Sequence, residues 1–417
     1  MQTENSDARP LFKEFAPFSK EQLADPNCVL ARARKDVPVF YSPEFDFWVV
    51  TRYEDVNRIF GEPKSYSSSS VLAPRSDRPA EIVREFGDRE LGFQHQLVMS
   101  DPPAHSRLKK LMSPAFLPRR VLAREQWLRD FTNGLIDKFE QDRKVDLVSQ
   151  YTAPIPVATI AKVVGAPEED AKHFSGWVND ILTLTGSFDT PEAELISAWR
   201  GIFAFEDYVR ALIAERRETP QDDLTSDFIQ ARSDDGSPAM NDTEVVWNVF
   251  NIVGAGTDST GVLLSHVFHL LLTSPEKWDA VCADKSLIPN MIEEALRVRS
   301  PVRGLLRKTT EAVTINDVSI PADALVYTHI ASANQDDAVF ENPDEFDICR
   351  AKANRHLGFG SRNHACIGAP LARLEAKVAV ETLVDRLPGL KIVDDSRELE
   401  YRPNLLLPAI AYLNARW

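Results

Sequence analysis

Hydrophobic and polar positions along this chain recur mostly at helical spacing. The clearest example begins at Asn241, where Asn-Asp-Thr-Glu has the character of a capping box, and the apolar run that follows reaches Ser274. This pattern predicts a helix of roughly 30 residues, about 45 Å long at about 1.5 Å per residue. We expect that helix to be a central strut of the fold.

Shorter periodic segments predict further helices on both sides of this strut. One is expected from about Ser19 to Lys35, a second ends near Phe60, and residues 118–232 are helical with short breaks. At Asp101, an aspartate followed by two prolines is typical of a helix start. Another helix is predicted over 287–298, so helices dominate the chain.

Short runs of β-branched and aromatic residues predict only small sheets. Residues 62–98 are expected to be irregular, and residues 335–356 form a meandering connection. No Pro-rich or Ser-rich linker divides the sequence, so we predict one domain over residues 1–417, mainly α with small β-sheets. The predicted strand segments are 37–41 and 45–50, which form a hairpin, and 305–320, 324–330, 390–393 and 405–412.

Composition and charge narrow the class of protein. With 43% hydrophobic and 27% charged residues, the chain is that of an ordinary globular protein. Its net charge of −15 argues against a broad surface for nucleic acid or anionic lipid. The first residues lack the basic start and apolar run of a signal peptide, and no run of at least about 18 uncharged apolar residues is present, so we expect no membrane anchor. Four widely spaced cysteines without zinc-site spacing favour a reducing compartment, and we expect a cytoplasmic protein.

One cysteine stands in a glycine-rich turn directly before an amphipathic helix. Gly358, Gly360 and Gly368 permit close backbone approaches around Cys366, and apolar residues then recur at helical spacing up to Val378. Unpaired N–H groups at a helix N-terminus favour a thiolate, which is a ligand or a nucleophile. Considered alone, such a segment is more often a structural turn with a buried cysteine than a ligand site.

The predicted strut contains an unusual stretch at residues 254–260, Gly-Ala-Gly-Thr-Asp-Ser-Thr. Glycine costs about 1 kcal/mol relative to alanine in a helix interior, and hydroxyls compete for backbone carbonyls. Close packing against another helix would explain it. A widened groove, in which a small ligand meets an acid and an alcohol, would explain it as well.

Three segments resemble motifs of the cytochrome P450 family, and they occur in that family's order. Residues 359–368 resemble its haem-binding loop, Phe-Gly-x-Gly-x-His-x-Cys-x-Gly, although Arg362 stands where glycine is usual. Residues 254–260 are similar to its Ala/Gly-Gly-x-Asp/Glu-Thr segment, and Glu294-x-x-Arg297 is similar to its Glu-x-x-Arg pair.

The resemblance implies a P450 fold in which haem b lies between the long central helix and the cysteine loop with its following helix. Cys366 is then the axial ligand of the haem iron, and O2 is the co-substrate. His105, Lys109, Arg307 and His364 are expected to bind the haem propionates, with Lys109 at a position where arginine is usual. A solvated helix face remains an alternative for Lys109. The other cofactor-binding residues that the resemblance implies are Phe359, Gly368 and Ala255.

Roles in proton transfer and loop support follow from the same resemblance. Asp258 is expected to bring protons from solvent, and Ser259, where threonine is usual, to hold water near the iron. Thr260 is a candidate to share this task. Glu294 and Arg297 are expected to form a buried pair that supports the haem loop, although their spacing alone also fits an ordinary surface pair.

Partner and substrate are further implications of the resemblance. A monomer is expected, reduced by a separate ferredoxin with its NAD(P)H-dependent reductase, and Arg362 is a candidate docking charge. Hydroxylation or dealkylation of a small to medium lipophilic substrate, oxygenated and either aromatic or terpenoid, is the expected reaction. A peroxide-using or isomerising enzyme and a non-catalytic haem sensor are the alternatives.

Substrate contacts are expected from 67–93, 177–188, 302–305 and 405–407, and in particular from Asn248, Asn251, Val302, Leu405 and Leu406. For the two asparagines, core amides that are satisfied by neighbouring helices are an alternative.

Overall fold

The structure is a computed structural model that describes residues 9–69, 71–74, 76–87, 89–186, 190–393 and 399–417. Predicted substrate positions at Ser70, Arg75, Asp88, Ser187 and Phe188 lie outside the described residues. Helices dominate and the sheets are small, so the predicted fold class is confirmed. The helices are α1 (Lys20–Ala24), α2 (Asn27–Asp36), α3 (Tyr53–Gly61), α4 (Ala80–Phe86), α5 (Ala104–Met112), α6 (Pro118–Leu122), α7 (Glu125–Asp137), α8 (Pro154–Val164), α9 (Ala171–Gly186), α10 (Glu192–Glu218), α11 (Leu224–Gln230), α12 (Asp242–Leu272), α13 (Pro275–Ala283), α14 (Ile288–Val298), α15 (Ile330–Ala333) and α16 (Ala369–Arg386).

The long helix α12 begins where the sequence predicts. The Asn241 side chain accepts a hydrogen bond from Glu244 N at 2.9 Å, and the Glu244 carboxylate accepts one from Asn241 N at 3.1 Å. The helix then runs for 31 residues and packs against α8, α9, α10, α14 and α16. This central position brings its middle turns next to the cysteine loop.

The largest sheet has five strands in the order β1-β2-β8-β5-β3. Its first pair is the predicted hairpin, with Phe40 opposite Val49. β8 pairs parallel to β2 and antiparallel to β5, where Arg307 faces Val326. The strands are β1 (Val39–Ser42), β2 (Phe47–Val50), β3 (Tyr66–Ser67), β4 (Lys144–Asp146), β5 (Leu305–Thr309), β6 (Val313–Ile315), β7 (Val318–Ile320), β8 (Leu325–Thr328), β9 (Lys391–Ile392), β10 (Tyr401–Arg402), β11 (Ala409–Ile410) and β12 (Asn414–Arg416).

Two helix predictions for the N-terminal part of the chain are wrong. The single helix expected over 19–35 is two helices, because Pro26 interrupts the backbone hydrogen bonding between α1 and α2. Asp101 does not cap α5, since its carboxylate accepts hydrogen bonds from Ser67 Oγ at 2.5 Å and Ser68 N at 2.9 Å. Asp101 therefore fixes the segment that follows β3.

Other predicted boundaries are wrong in detail. The segment 62–98 contains β3 and α4 as well as short 3-10 turns, so it is less irregular than expected. The strand expected over 405–412 is reduced to β11, which pairs with β10 as a hairpin. A further strand, β12, joins β4 and β9 in a three-stranded sheet. No helix in the described part of the chain is both long enough and apolar enough to cross a membrane.

Candidate active site

The cysteine loop is a tightly hydrogen-bonded turn. Cys366 N donates to Phe359 O at 2.8 Å, and Gly360 N donates to Leu357 O at the same distance. Gly360 has a φ of +65°, a left-handed conformation that glycine adopts without strain. Gly368 is the N-cap of α16, so Cys366 lies directly before a helix N-terminus, as predicted.

Burial sets the protonation of the Cys366 thiol. Deep placement raises its pKa, although the N–H groups of Gly368 and Ala369 and the charge of Arg373 act in the opposite direction. The N–H groups at the helix N-terminus therefore favour the thiolate, as expected, while burial opposes them.

Cys366 faces a cavity of about 310 Å³ between α12 and the cysteine loop. Its walls are mostly aliphatic and aromatic, which suits a lipophilic ligand. The cavity is bounded by α12 on one side and by the turn that precedes α16 on the other. Of the residues predicted to bind the cofactor, those that line it are Ala255, His105, Lys109, Phe359, His364, Cys366 and Gly368.

Two histidines and an arginine cluster beside the cysteine loop. The rings of His105 and His364 lie 4.0 Å apart between centroids, and Ser68 Oγ is 3.0 Å from His364 Nε2. Burial, followed by the charge of Arg307, lowers the pKa of His364 to about 3. Burial also lowers the pKa of His105, which the charge of Lys109 lowers further. Both rings are therefore neutral donors or acceptors near neutral pH.

Arg307 is a buried cation without a carboxylate ion pair among the described residues. Its side chain is 2% exposed and donates to Leu306 O at 2.9 Å. Burial lowers its pKa to about 10, and Asp101 opposes this effect from a distance. Arg307 does not itself line the cavity, but its charge acts on both His105 and His364.

Lys109 braces the cysteine loop directly. Its Nζ donates to Asn363 O at 2.5 Å and to Ala365 O at 3.2 Å, and it is only partly exposed. Burial lowers the pKa of this ammonium group. The alternative of a freely solvated helix face is thus wrong for Lys109, because its charge is directed at loop carbonyls.

These groups provide the chemistry that a haem needs. Haem carries two propionates, which require cationic or hydrogen-bonding partners. Arg307 is buried here without a paired carboxylate, while the oxygens of the nearby Asp101 are occupied by Ser67 and Ser68. Together with a thiol that faces an apolar cavity, this unpaired positive charge fits a haem held by Cys366. The residues present therefore fit the group.

The middle of α12 brings some, but not all, of its predicted catalytic residues to the cavity. Ser259 and Thr260 line it, and Ser259 Oγ donates to Ala255 O at 2.6 Å. Asp258 is half-buried and does not line the cavity; burial raises its pKa while Arg402 lowers it. Its carboxyl group lies toward Arg402 rather than beside Ser259, because adjacent helix positions point about 100° apart.

The glycines of this stretch allow close helix packing. A Cβ at Gly256 would lie 2.5 Å from Ile160 Cδ1, and one at Gly254 would lie 3.1 Å from Ile181 Cδ1. Both glycines also line the cavity. Close packing on α8 and α9 therefore explains the glycines, and the same turns leave space for a ligand that meets the alcohols Ser259 and Thr260 but not the acid Asp258.

Glu294 and Arg297 form a pair with no solvent exposure, which excludes an ordinary surface pair. Arg297 also donates to Pro343 O at 2.7 Å and Glu345 O at 2.8 Å in the meander before the cysteine loop. Arg350 Nε adds a contact of 2.8 Å to Glu294. The pair thus joins α14 to the meander.

The predicted substrate residues divide into two groups. Asn251, Val302 and Leu406 line the cavity. Asn248 does not, because its amide is fully used: it accepts from Leu97 N and donates to His95 O and Glu244 O. Leu405 packs instead in a core cluster with Phe15 and Phe40. For these two residues the substrate prediction is wrong.

Two polar residues that line the cavity are absent from the sequence predictions. Gln96 lies in the segment predicted to be irregular, and nothing in the local pattern marks it. Glu375 lies on α16, and burial raises its pKa to about 8, although a hydrogen bond with Thr159 opposes this effect. A signal for Glu375 did exist, because it falls four residues after Leu371 on the apolar face of the predicted helix.

The turn still forms although Arg362 stands where the family motif usually has glycine. Arg362 has a φ of +56°, the left-handed conformation in which glycine is favoured. Its side chain is exposed and has no ion pair or hydrogen bond among the described residues. The guanidinium is therefore available at the surface on the cysteine side.

Comparisons with known proteins agree with this site. The family model for Cytochrome P450 matches residues 69–409. Cytochrome P450 107B1 of Saccharopolyspora erythraea is 34% identical over 89% of each chain, and the erythromycin C-12 hydroxylase of the same organism is 32% identical over 91% of each. A solved structure of cytochrome P450 CREJ with (4-ethylphenyl) dihydrogen phosphate superposes with a TM-score of 0.90, at 29% identity over 97% of this chain and 99% of that one.

Family membership fixes the general chemistry. A thiolate-ligated haem iron supplies oxygen activation and oxidation of C–H bonds when bound. The cavity, the cysteine loop and the unpaired positive charge described above are the parts that this chain contributes. The chain belongs to the cytochrome P450 family and is a haem-dependent monooxygenase that uses O2.

Proposed function

We propose that this monooxygenase hydroxylates or dealkylates a small to medium lipophilic, oxygenated substrate, aromatic or terpenoid, with electrons from a separate ferredoxin. The observation that carries the proposal is the apolar cavity beside Cys366, which the haem would share with the substrate and which Asn251 lines. A mostly apolar wall favours a lipophilic body, and an amide favours one polar group on it. Asn251 has no hydrogen-bond partner among the described residues, which supports its role as a substrate contact.

The cofactor is proposed to be haem b, with Cys366 as the iron ligand. Arg307, His105 and His364 would hold the propionates, and Lys109 would keep the loop that carries Cys366 in place. Phe359, Gly368 and Ala255 would contact the macrocycle. Solvent extraction of the purified holoprotein followed by mass spectrometry should yield free iron protoporphyrin IX, whereas a covalently retained or altered macrocycle would contradict this assignment.

We propose that two residues of α12 take part in proton delivery: Ser259 at the cavity and Asp258 on the side that exchanges protons with solvent. Ser259 Oγ donates to Ala255 O, so its oxygen can accept a hydrogen bond from water in the cavity. Thr260 lines the same wall and would share this task. Asp258, on the Arg402 side, would exchange protons with solvent.

The ferredoxin is proposed to dock on the cysteine side of the molecule. Several cations there are already paired: Arg373 with Glu293, Arg107 with Glu244, and Lys377 with Glu125. The unpaired, exposed cations among the described residues of this face are Lys110, Arg355 and Arg362. These cations would attract an acidic partner. An unpaired positive charge contributes to the electrostatic attraction, whereas a charge paired with a carboxylate is largely cancelled by it.

A reconstituted assay tests the electron source. The holoprotein, a ferredoxin, its NAD(P)H-dependent reductase and a panel of alkylphenols and terpenoids should give products that gain one oxygen atom or lose an alkyl group. Product formation should stop when the ferredoxin is omitted. Equal product formation with hydrogen peroxide alone, and none with ferredoxin, would favour the peroxide-using alternative.

The remaining proposals concern the oligomeric state and the cellular location. We propose a cytoplasmic monomer, which is compatible with the four cysteines being free. Sedimentation velocity at micromolar concentration should give a single species near the 46.8 kDa chain mass. A stable dimer would contradict the monomer.

A further inference from the structure

Gln96 is a buried amide without a partner. Its side chain is 0% exposed, and neither Nε2 nor Oε1 has a hydrogen-bond partner among the described residues. It also lines the cavity beside Cys366. Buried polar side chains in native proteins are nearly always hydrogen-bonded, so an unpaired one indicates a group that pairs with something else.

The backbone of Gln96 is held firmly in place. Its N–H donates to Phe93 O at 3.3 Å, and its carbonyl accepts from Met99 N at 3.2 Å and Ser100 Oγ at 2.7 Å. The amide of Asn248 holds both neighbours, with His95 O and Leu97 N each at 2.9 Å. A fixed backbone with a free side chain is the arrangement of a preorganised binding group.

Asn251 provides a second free amide close to the first. It follows Asn248 by three residues, which places both on neighbouring turns of one face of α12. Because Asn248 holds the two neighbours of Gln96, the segment that carries Gln96 lies directly against this face. Gln96 and Asn251 therefore supply two free carboxamides, which can donate and accept, to one cavity.

The charges around the cavity limit what these amides can receive. Among the described residues that line it, the basic ones are His105, Lys109 and His364, all at the cysteine loop. The ammonium group of Lys109 is already bound to two loop carbonyls. Burial raises the pKa of Glu375 to about 8, so this acid is mostly neutral at pH 7.

An anionic ligand would therefore meet no free cation next to the amides. Taking a charged group out of water without a counter-ion is strongly unfavourable, whereas a neutral carbonyl, hydroxyl or amide loses little if it is hydrogen-bonded. We infer that Gln96, together with Asn251, is a specificity-determining pair that selects neutral substrates with a hydrogen-bonding oxygen or nitrogen group and rejects carboxylates and phosphate esters. The inference deepens the proposed function and rests on it.

Binding to matched ligands tests the inference. Heptylbenzene, 4-heptylphenol and 4-heptylphenyl phosphate share one apolar body and differ in a missing, a neutral and an anionic polar group. Their dissociation constants are measured by titration calorimetry on the holoprotein, for the parent chain, Gln96→Met and Asn251→Leu. Gln94→Met is the matched control, because Gln94 is exposed two residues away and does not line the cavity.

We expect the parent chain and Gln94→Met to bind the phenol most tightly and the phosphate ester most weakly. Gln96→Met should reduce the preference for the phenol over the hydrocarbon by about tenfold, the effect of about one hydrogen bond. Its melting temperature should stay level or rise, because methionine removes an unpaired buried amide. A fall would instead indicate a structural role for Gln96.

Three results would overturn the inference: equal or tighter binding of the phosphate ester, an unchanged preference in Gln96→Met, or no binding of the phenol by the parent chain. None of them touches the proposed monooxygenation itself. The ferredoxin-driven assay described above reports on that activity independently, so the two failures are distinguishable.

Discussion

The guanidinium of Arg297 is held by both carboxylate oxygens of Glu294, with the Nε to Oε2 and Nη2 to Oε1 distances both 2.8 Å and neither side chain exposed. Arg350 shares Glu294 Oε1, and Asp347 N donates to the same oxygen at 3.0 Å. One carboxylate therefore forms ion pairs with two arginines and positions the meander that leads into the cysteine loop.

Glu294→Gln should accordingly be severely destabilising. It leaves the buried guanidinium of Arg297 and the partly buried one of Arg350 without this counter-charge, and loss of one partner of a buried pair costs about 3–5 kcal/mol. Denaturant unfolding of the holoprotein and its haem content measure the effect. Lys285→Ala, which breaks a surface pair with Asp385, should cost less than about 1 kcal/mol. Similar values for the two variants would contradict the role assigned to Glu294.

Glu375 predicts a pH dependence of stability. Burial raises its pKa from 4.5 to about 8, so folding favours the protonated acid. Its contribution to stability is complete below pH 4.5 and is lost as the pH rises to about 8. Over that range, the unfolding free energy of Glu375→Gln should increase relative to that of the parent chain by up to about 1.4 kcal/mol per pH unit, because glutamine does not titrate.

Unfolding free energies of the two holoproteins at pH 5, 6, 7 and 8 would measure this difference. Thr159→Val provides a second variant, since the hydrogen bond of Thr159 lowers the pKa of Glu375. Its loss should extend the pH-dependent range upward. A constant difference between Glu375→Gln and the parent chain would show that Glu375 is already ionised in the folded protein.

Arg362 combines a strained backbone with a free charge, and two substitutions separate them. Arg362→Gly should raise stability by up to about 1 kcal/mol, because glycine adopts a φ of +56° without the Cβ penalty. Arg362→Glu should keep the strain and slow reduction by ferredoxin more than Arg362→Gly does. Stopped-flow reduction at several salt concentrations measures the rates.

A paired cation on the same face provides the control for this experiment. Lys377→Gln removes a charge that already interacts with Glu125 and Glu381, so its effect on reduction should be small. An unchanged rate and salt dependence in Arg362→Glu would exclude Arg362 from the docking face.

Local pattern was sufficient for the parts of the fold that depend on neighbouring residues. The capping box at Asn241 and Glu244 and the turn around Cys366 involve contacts within a few positions, and both form as predicted. The break at Pro26 was missed, although the sequence contains the signal for it, because proline interrupts helical hydrogen bonding.

Long-range contacts explain what the pattern missed. Asp101 has the residue type of a helix cap, but Ser67 and Ser68 bind its carboxylate. The position of Gln96 at the cavity depends on the distant helix α12, because Asn248 on that helix binds the backbone of His95 and Leu97. No spacing rule connects residues about 150 positions apart, as His95 and Asn248 are.

Asn248 and Asn251 should respond to the same substitution in opposite ways. Asn248→Leu removes the partners of Leu97 N, which is buried, and of His95 O, which is partly buried, and this should cost about 3 kcal/mol of unfolding free energy. Asn251→Leu removes an amide without a partner among the described residues, so stability should change little. Its effect should instead be weaker binding of oxygenated ligands relative to hydrocarbons, measured by titration calorimetry. If Asn251→Leu is the more destabilising of the two and ligand preference is unchanged, the amide that faces the cavity has a structural role, and the substrate assignment on α12 is wrong.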